Sequence, residues 1–168
     1  MERIIIIGCG GAGKSTLARK LGEKTGNPVV HQAQIWWAPG HWQHLEREEF
    51  DRRLMEEVEK PRWILDGNFN RTLEVRLEKC DTVIYLDFSR MACLRSWMGR
   101  VIKNWGHARA DMAEGCTEWF DPEMARWIWR FNRDNRQRYY GLLGGLEGKQ
   151  VYILKNRREV ERFLKELT

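Results

Sequence analysis

Apolar residues along this chain follow two periods in turn, and that alternation sets the expected architecture. Five short runs are nearly all aliphatic or aromatic: Ile4-Ile5-Ile6-Ile7 after Arg3, Val29-Val30-His31 running out at Gln32-Ala33, Trp63-Ile64-Leu65, Thr82-Val83-Ile84-Tyr85-Leu86 and Val151-Tyr152-Ile153-Leu154. Runs of that length and composition predict strands buried on both faces. Between them the period lengthens to that of a helix. Thr16 to Leu21 are good helix formers, and from Arg47 the residues Phe50, Leu54 and Val58 recur every fourth position until Pro61 ends the pattern. Thr72 to Leu77 read as a short helix. Ser89 can cap a helix with apolar positions Met91, Leu94, Met98, Val101 and Trp105. Asp121-Pro122-Glu123 is a helix start, with the run reaching about Tyr140 and stopping over Gly141 to Gly148. Val160, Phe163, Leu164 and Leu167 form one face of a closing helix. Strands alternating with helices predict an α/β domain, a parallel sheet with helices on both sides.

Two segments escape both periods. Residues 32–45 are aromatic, with Trp36, Trp37 and Trp42 around Pro39-Gly40, and predict a loop or irregular helix over a pocket. Gly106 to Gly115 interrupts the helical pattern and carries His107, Arg109 and Asp111, a candidate mobile loop.

The turn after the first strand carries the chemistry. Gly8-Cys9-Gly10-Gly11-Ala12-Gly13-Lys14-Ser15 matches Gly-x4-Gly-Lys-Ser in the strand–loop–helix setting of a phosphate-binding P-loop. Glycines let successive N–H groups converge on one anion, and the helix that follows adds its positive end. Gly8, Gly10, Gly11, Ala12, Gly13, Lys14, Ser15 and Thr16 are therefore the expected ATP-binding residues. Lys14 would reach the β- and γ-phosphates, and the Ser15 hydroxyl would ligate Mg²⁺. Gly8-x-Gly10-x-x-Gly13 also fits the dinucleotide fingerprint. That motif needs an acidic residue at the end of the second strand. None stands there, and Lys14-Ser15 would go unused.

Ligands in open α/β sheets sit beyond the carboxyl ends of the strands, which singles out the polar residues there. Asp66 closes the third strand and is the expected Mg²⁺ carboxylate, directly or through water. Asp87 closes the fourth, where a structural or capping role is at least as expected. Arg90, Arg95, Arg100, Arg109, Arg126, Arg130 and Arg133 flank the candidate loop, and two or three of them are expected to stabilise phosphoryl transfer. His31 either contacts a substrate or is a satisfied core histidine.

Composition narrows the class. At 168 residues and 42% hydrophobic content, one domain with an ordinary core is expected. No apolar run is long enough for a bilayer and no leader is seen, so a cytoplasmic protein is the expectation. The four cysteines lack paired spacing, so neither zinc nor a disulfide framework is indicated. Cys9 is expected in the loop for its small size. A net charge of +5, concentrated between Arg90 and Arg138, can serve a polyphosphate or nucleic acid. Nine tryptophans suggest base stacking, although filling of core and grooves is the expectation for most. No base-reading motif is present, so DNA binding is expected to be weak, non-specific and salt-dependent.

Gly8 to Ser15, Leu65-Asp66-Gly67-Asn68-Phe69-Asn70-Arg71-Thr72 and the arginine-rich loop resemble the adenylate-kinase-like P-loop kinases. More narrowly, His31 to Trp37, Asp66-Gly67-Asn68, Arg71, Asp111 to Cys116 and Val151 to Asn156 resemble bacterial DNA topology modulation (FlaR-related) proteins over nearly the whole chain. The resemblance implies a three-layer P-loop fold of the nucleoside-monophosphate-kinase type, with strand order 2-3-1-4-5. It implies an acceptor-side segment at about 32–60 and a lid at about 99–120. By the same resemblance the chain would move the γ-phosphoryl of Mg-ATP to a small acceptor such as a nucleoside or nucleotide. Arg71 would grip the acceptor, with His31, Trp37 and Asn68 beside it, and Asn156-Arg157 would border adenine. Lys14, Asp66, Arg95, Arg100 and Arg109 would be the catalytic set, and the lid would be mobile until a polyphosphate orders it. The chain departs from this family where Ala33 replaces an acidic residue. That departure keeps open a nucleotide-binding protein that no longer catalyses, beside a DNA regulator switched by nucleotide.

Overall fold

The computed structural model describes residues 1–37 and 43–167. Five parallel strands form one sheet in the order β2-β3-β1-β4-β5: β1 Arg3–Gly8, β2 Val29–His31, β3 Trp63–Asp66, β4 Thr82–Leu86 and β5 Gln150–Leu154. The helices between them are α1 Lys14–Thr25, α2 Gln32–Trp36, α3 Arg47–Val58, α4 Leu73–Lys79, α5 Arg90–Lys103, α6 Pro122–Gly144 and α7 Arg157–Glu166. β1 is the central strand. Its four isoleucines are at most 1% exposed, each burial contributing roughly 1.5–3 kcal/mol. α1 packs on β1, β2 and β3, with α7 beside it; α4 meets β1, and α5 meets α6. This is the three-layer P-loop arrangement.

Sheet register aligns the chemistry. Ile6 lies opposite Asp66, and Asp66 opposite His31, so the carboxyl ends of β1, β2 and β3 finish on one line. Gly8 lies opposite Leu86 on the other side.

Several boundaries move from their expected places, each for a visible reason. β2 stops at His31, because Gln32 begins a helix and donates its side-chain amide to the carbonyl oxygens of Asp66 and Gly67, 3.4 and 3.1 Å away. α5 ends at Lys103, short of Trp105, which is 59% exposed. Asn104 closes that helix, and the Trp105 backbone instead bridges Glu118. α6 runs past Gly141 to Gly144, because Leu143 still has core to bury. The expectation that tryptophans fill core and grooves holds for four of the eight described: Trp63 and Trp97 are buried, and Trp36 and Trp37 pack against the apolar clusters as well. Trp105, Trp119, Trp127 and Trp129 are exposed. The expected turn at Pro39-Gly40 and Trp42 lies outside the described residues.

The segment between α5 and α6 is non-helical, with bridges Trp105–Glu118 and Ala108–Thr117. It has a small core of its own, Met112, Ala113 and Cys116, packed on Ala33 and Trp37. The segment between α5 and α6 thus rests on α2 and Trp37.

Candidate active site

The loop from Gly8 to Gly13 turns between the central strand and α1. Gly11 has φ 81°, and a Cβ there would stand 2.3 Å from the Cys93 carbonyl oxygen of α5, so only glycine fits beneath that helix. Gly13 has φ 92° and precedes α1, where it leaves the first N–H groups of the helix without a side-chain cap. Cys9 is buried with its thiol towards the Ile128 carbonyl oxygen, in keeping with a residue chosen for size. The far side of the loop is tied down by Asn68. Its amide donates to the Gly8 carbonyl oxygen at 2.8 Å and accepts from the Gly8 N–H at 3.0 Å. Asn68, expected at the acceptor, thus spends its side chain on holding the loop.

Lys14 curls back over the loop and donates to the carbonyl oxygens of Gly8 and Cys9 at 2.9 and 3.0 Å. Burial pulls its ammonium below the usual lysine range, and the nearby charge of Asp66 opposes that. Two carbonyl oxygens are weak partners for a buried cation. The charge is therefore available to an incoming phosphate.

Asp66 and His31 form a buried pair, Oδ2 against Nδ1, across the β2–β3 register. Burial alone would lower the imidazole, but the bond to Asp66 and the charges of Asp66 and Asp111 outweigh it and raise its pKa above 6.5. A raised folded-state pKa stabilises the protein fully below the unfolded value of about 6.5 and loses that contribution as pH climbs through the folded value. Thermal melting should therefore decline on the alkaline side in the parent and decline less in His31→Gln. Parallel melting curves against pH for the two proteins would show the pair to be energetically silent.

Ser15 does not meet Asp66 in this structure. Its hydroxyl donates to Asp111 Oδ2 at 2.9 Å, and Arg109 donates to the same oxygen at 3.0 Å. Arg100 donates to Glu118 at 2.8 Å, with Arg109 3.6 Å from the other Glu118 oxygen. Arg100 and Arg109 thus stand together over the loop, and burial with mutual repulsion lowers the Arg100 pKa. Arg95 lies exposed on α5, outside this network. Arg90 lies over the Trp129 ring, and Arg133 pairs with Asp134. Asp87 is structural: buried, it accepts from Arg136, Tyr85 and Tyr140.

Beside α3, a cavity of about 240 Å³ is lined by Trp36, Arg47, Phe50, Phe69, Asn70, Arg71 and Thr72. Arg71 reaches α3 by a two-pronged pair with Asp51, at 2.6 and 2.7 Å. Phe69 has φ 36°, the left-handed region, and the carbonyls of Gly67, Asn68 and Phe69 all accept from buried Arg76. Trp37 packs against the cluster of Met112, Ala113 and Cys116. At the opposite end, Arg157 donates to Ser96 of α5 at 2.9 Å and comes near Gly13, while Asn156 caps α7. Asp111 was read only as a member of the 106–115 loop, and Glu118 and Arg76 were not singled out from the sequence.

The fold and this loop define a P-loop kinase fold. Among solved structures, the chain is similar to shikimate kinase from Bacteroides thetaiotaomicron, with TM-score 0.59 and 18% identity over 99% of this chain and 95% of that one. It is similar too to shikimate kinase from Acinetobacter baumannii in complex with shikimate, with TM-score 0.60 and 18% identity over 99% and 90%. No protein-family model and no curated sequence matches the chain.

Proposed function

We propose that the protein is an ATP-dependent phosphotransferase acting on a small hydroxyl-bearing acceptor. The observation that carries this reading is the P-loop itself: Lys14 and the uncapped start of α1 converge beyond the end of the central strand. The loop N–H groups and Lys14 would hold the phosphates, with Arg157 near the base. Arg100 and Arg109 would meet the charge spread over the transferred group. Ser15 and, through water, Asp66 fit Mg²⁺, because hydroxyl and carboxylate oxygens are the hard donors that ion takes. Among the described residues no three His, Cys, Asp or Glu side chains gather, which suits an ion completed by phosphate and water. Bound there, the ion would neutralise phosphate charge.

The acceptor would enter the cavity beside Arg71. Arg47 and Arg71 beside three aromatic rings suit a compact ring compound bearing a carboxylate or phosphate, which would compete with Asp51 for Arg71. Nucleosides, nucleotides and a cyclic hydroxy acid such as the shikimate of the structural neighbours are the classes to try. We retain the kinship to DNA topology modulation proteins as part of this reading, with DNA as a weak, salt-sensitive partner. The test is a phosphoryl-transfer screen over nucleosides, nucleotides, polyols and shikimate, scored against ATP hydrolysis without acceptor. ADP release that rises with one acceptor class is the expected result. Tight ATP binding with hydrolysis indifferent to every acceptor would leave a nucleotide-binding protein that does not transfer.

A further inference from the structure

The lid delivers a carboxylate to the one P-loop side chain that a metal ion would use. Ser15 Oγ and Asp111 Oδ2 lie 2.9 Å apart although 96 residues separate them. Two oxygens in adjacent positions of an octahedral Mg²⁺ shell, each about 2.0–2.1 Å from the ion, stand about 2.9 Å apart. The pair already has that spacing. Its hydroxyl proton need only rotate away for both oxygens to face an ion. Asp111 is mostly buried, and Arg109 fixes the same oxygen at 3.0 Å, the outer support that orients a ligating carboxylate. Asp66 is engaged by His31 and has no bond to Ser15.

Resting on the kinase reading above, we propose that Asp111 is a direct Mg²⁺ ligand beside Ser15, so that the metal site is complete only when the lid is down. Ala33 then has a physical meaning. The lid core of Met112, Ala113 and Cys116 sits on Ala33 and Trp37. A carboxylate at position 33 would bury a charge in that apolar contact and hold the lid off. The small residue lets the lid close, and the lid brings its own carboxylate.

The test reads metal binding rather than turnover. Mn²⁺ affinity is measured by electron paramagnetic resonance with a non-hydrolysable ATP analogue bound, in the parent, Asp111→Asn and Asp111→Cys. Affinity of the analogue in EDTA is measured alongside and should be at least parental in Asp111→Asn, because a negative charge beside the phosphates is removed. Asp111→Asn should lose tenfold or more in Mn²⁺ affinity. Asp111→Cys should lose Mn²⁺ equally but gain Cd²⁺, since a thiolate prefers the softer ion. Parent-like Mn²⁺ binding in Asp111→Asn, or no Cd²⁺ gain in Asp111→Cys, would overturn the assignment while leaving the kinase reading standing. A parent that binds Mn²⁺ no better with the analogue than without it would overturn both.

Discussion

Lys14→Ala should lower turnover, or Mg-ATP affinity, by on the order of 10²–10³-fold with the fold intact. The ammonium is buried over the loop, and its present partners are two main-chain carbonyl oxygens. Burial has already removed much of its hydration, so a phosphate arriving there meets a cation that needs little further desolvation. Alanine leaves the loop glycines and α1 unchanged but takes away the only lysine within the loop motif. Lys20, exposed on the same helix, is the control: Lys20→Ala should retain parental ATP binding and turnover. Steady-state kinetics and calorimetric ATP binding on both variants decide the matter. Equal behaviour of the two would remove the P-loop assignment.

Arg76→Ala should be the most damaging change away from the phosphates. The side chain is fully buried, has no carboxylate partner among the described residues and donates to three successive carbonyls, those of Gly67, Asn68 and Phe69. Burial lowers its pKa from 12.5 to about 10, a penalty of about 3 kcal/mol that truncation would return. Of the three carbonyls only that of Asn68 loses its donor, since Gln32 still donates to Gly67 and Thr72 to Phe69, and that costs roughly 1–3 kcal/mol. The cavity left by the fully buried side chain adds roughly 2–5 kcal/mol, so the net loss is about 3 kcal/mol. For a chain this long that lowers the melting temperature by roughly 6–12 °C. Arg76→Lys keeps a charge but cannot fork across three carbonyls, so it should fall between the two. Activity should fall too, because Asn68, in the loop that Arg76 holds, anchors Gly8. A loss below about 1 kcal/mol in denaturant titration would mean that the Asn68 carbonyl finds another donor and the vacated space collapses.

The P-loop was legible because all its parts are local: a strand, eight residues and a helix start, each with a fixed chemical demand. The α5 cap at Ser89, which accepts from the Ala92 N–H, and the α6 start at Asp121-Pro122 were legible for the same reason. Asn68 was drawn to the acceptor by the motif it belongs to, yet its amide is turned onto Gly8. Arg95 was grouped with Arg100 by closeness in sequence, but one lies exposed and the other packs into the lid network. Charge type can be read from a chain; the direction in which a helix presents it depends on what packs alongside.

The sequence by itself determined the order of the strands and longer helices and the glycine-rich turn between β1 and α1. Those follow from periodicity and from backbone geometry that spans a few residues. Tertiary structure alone decided the pairings: His31 with Asp66 through sheet register, Ser15 with Asp111 through the lid, and Arg76 with the strained loop at Phe69. It decided as well which tryptophans face solvent. Such contacts join residues tens of positions apart, and closing those loops costs entropy that only the collective burial of the core repays. No local pattern records that balance.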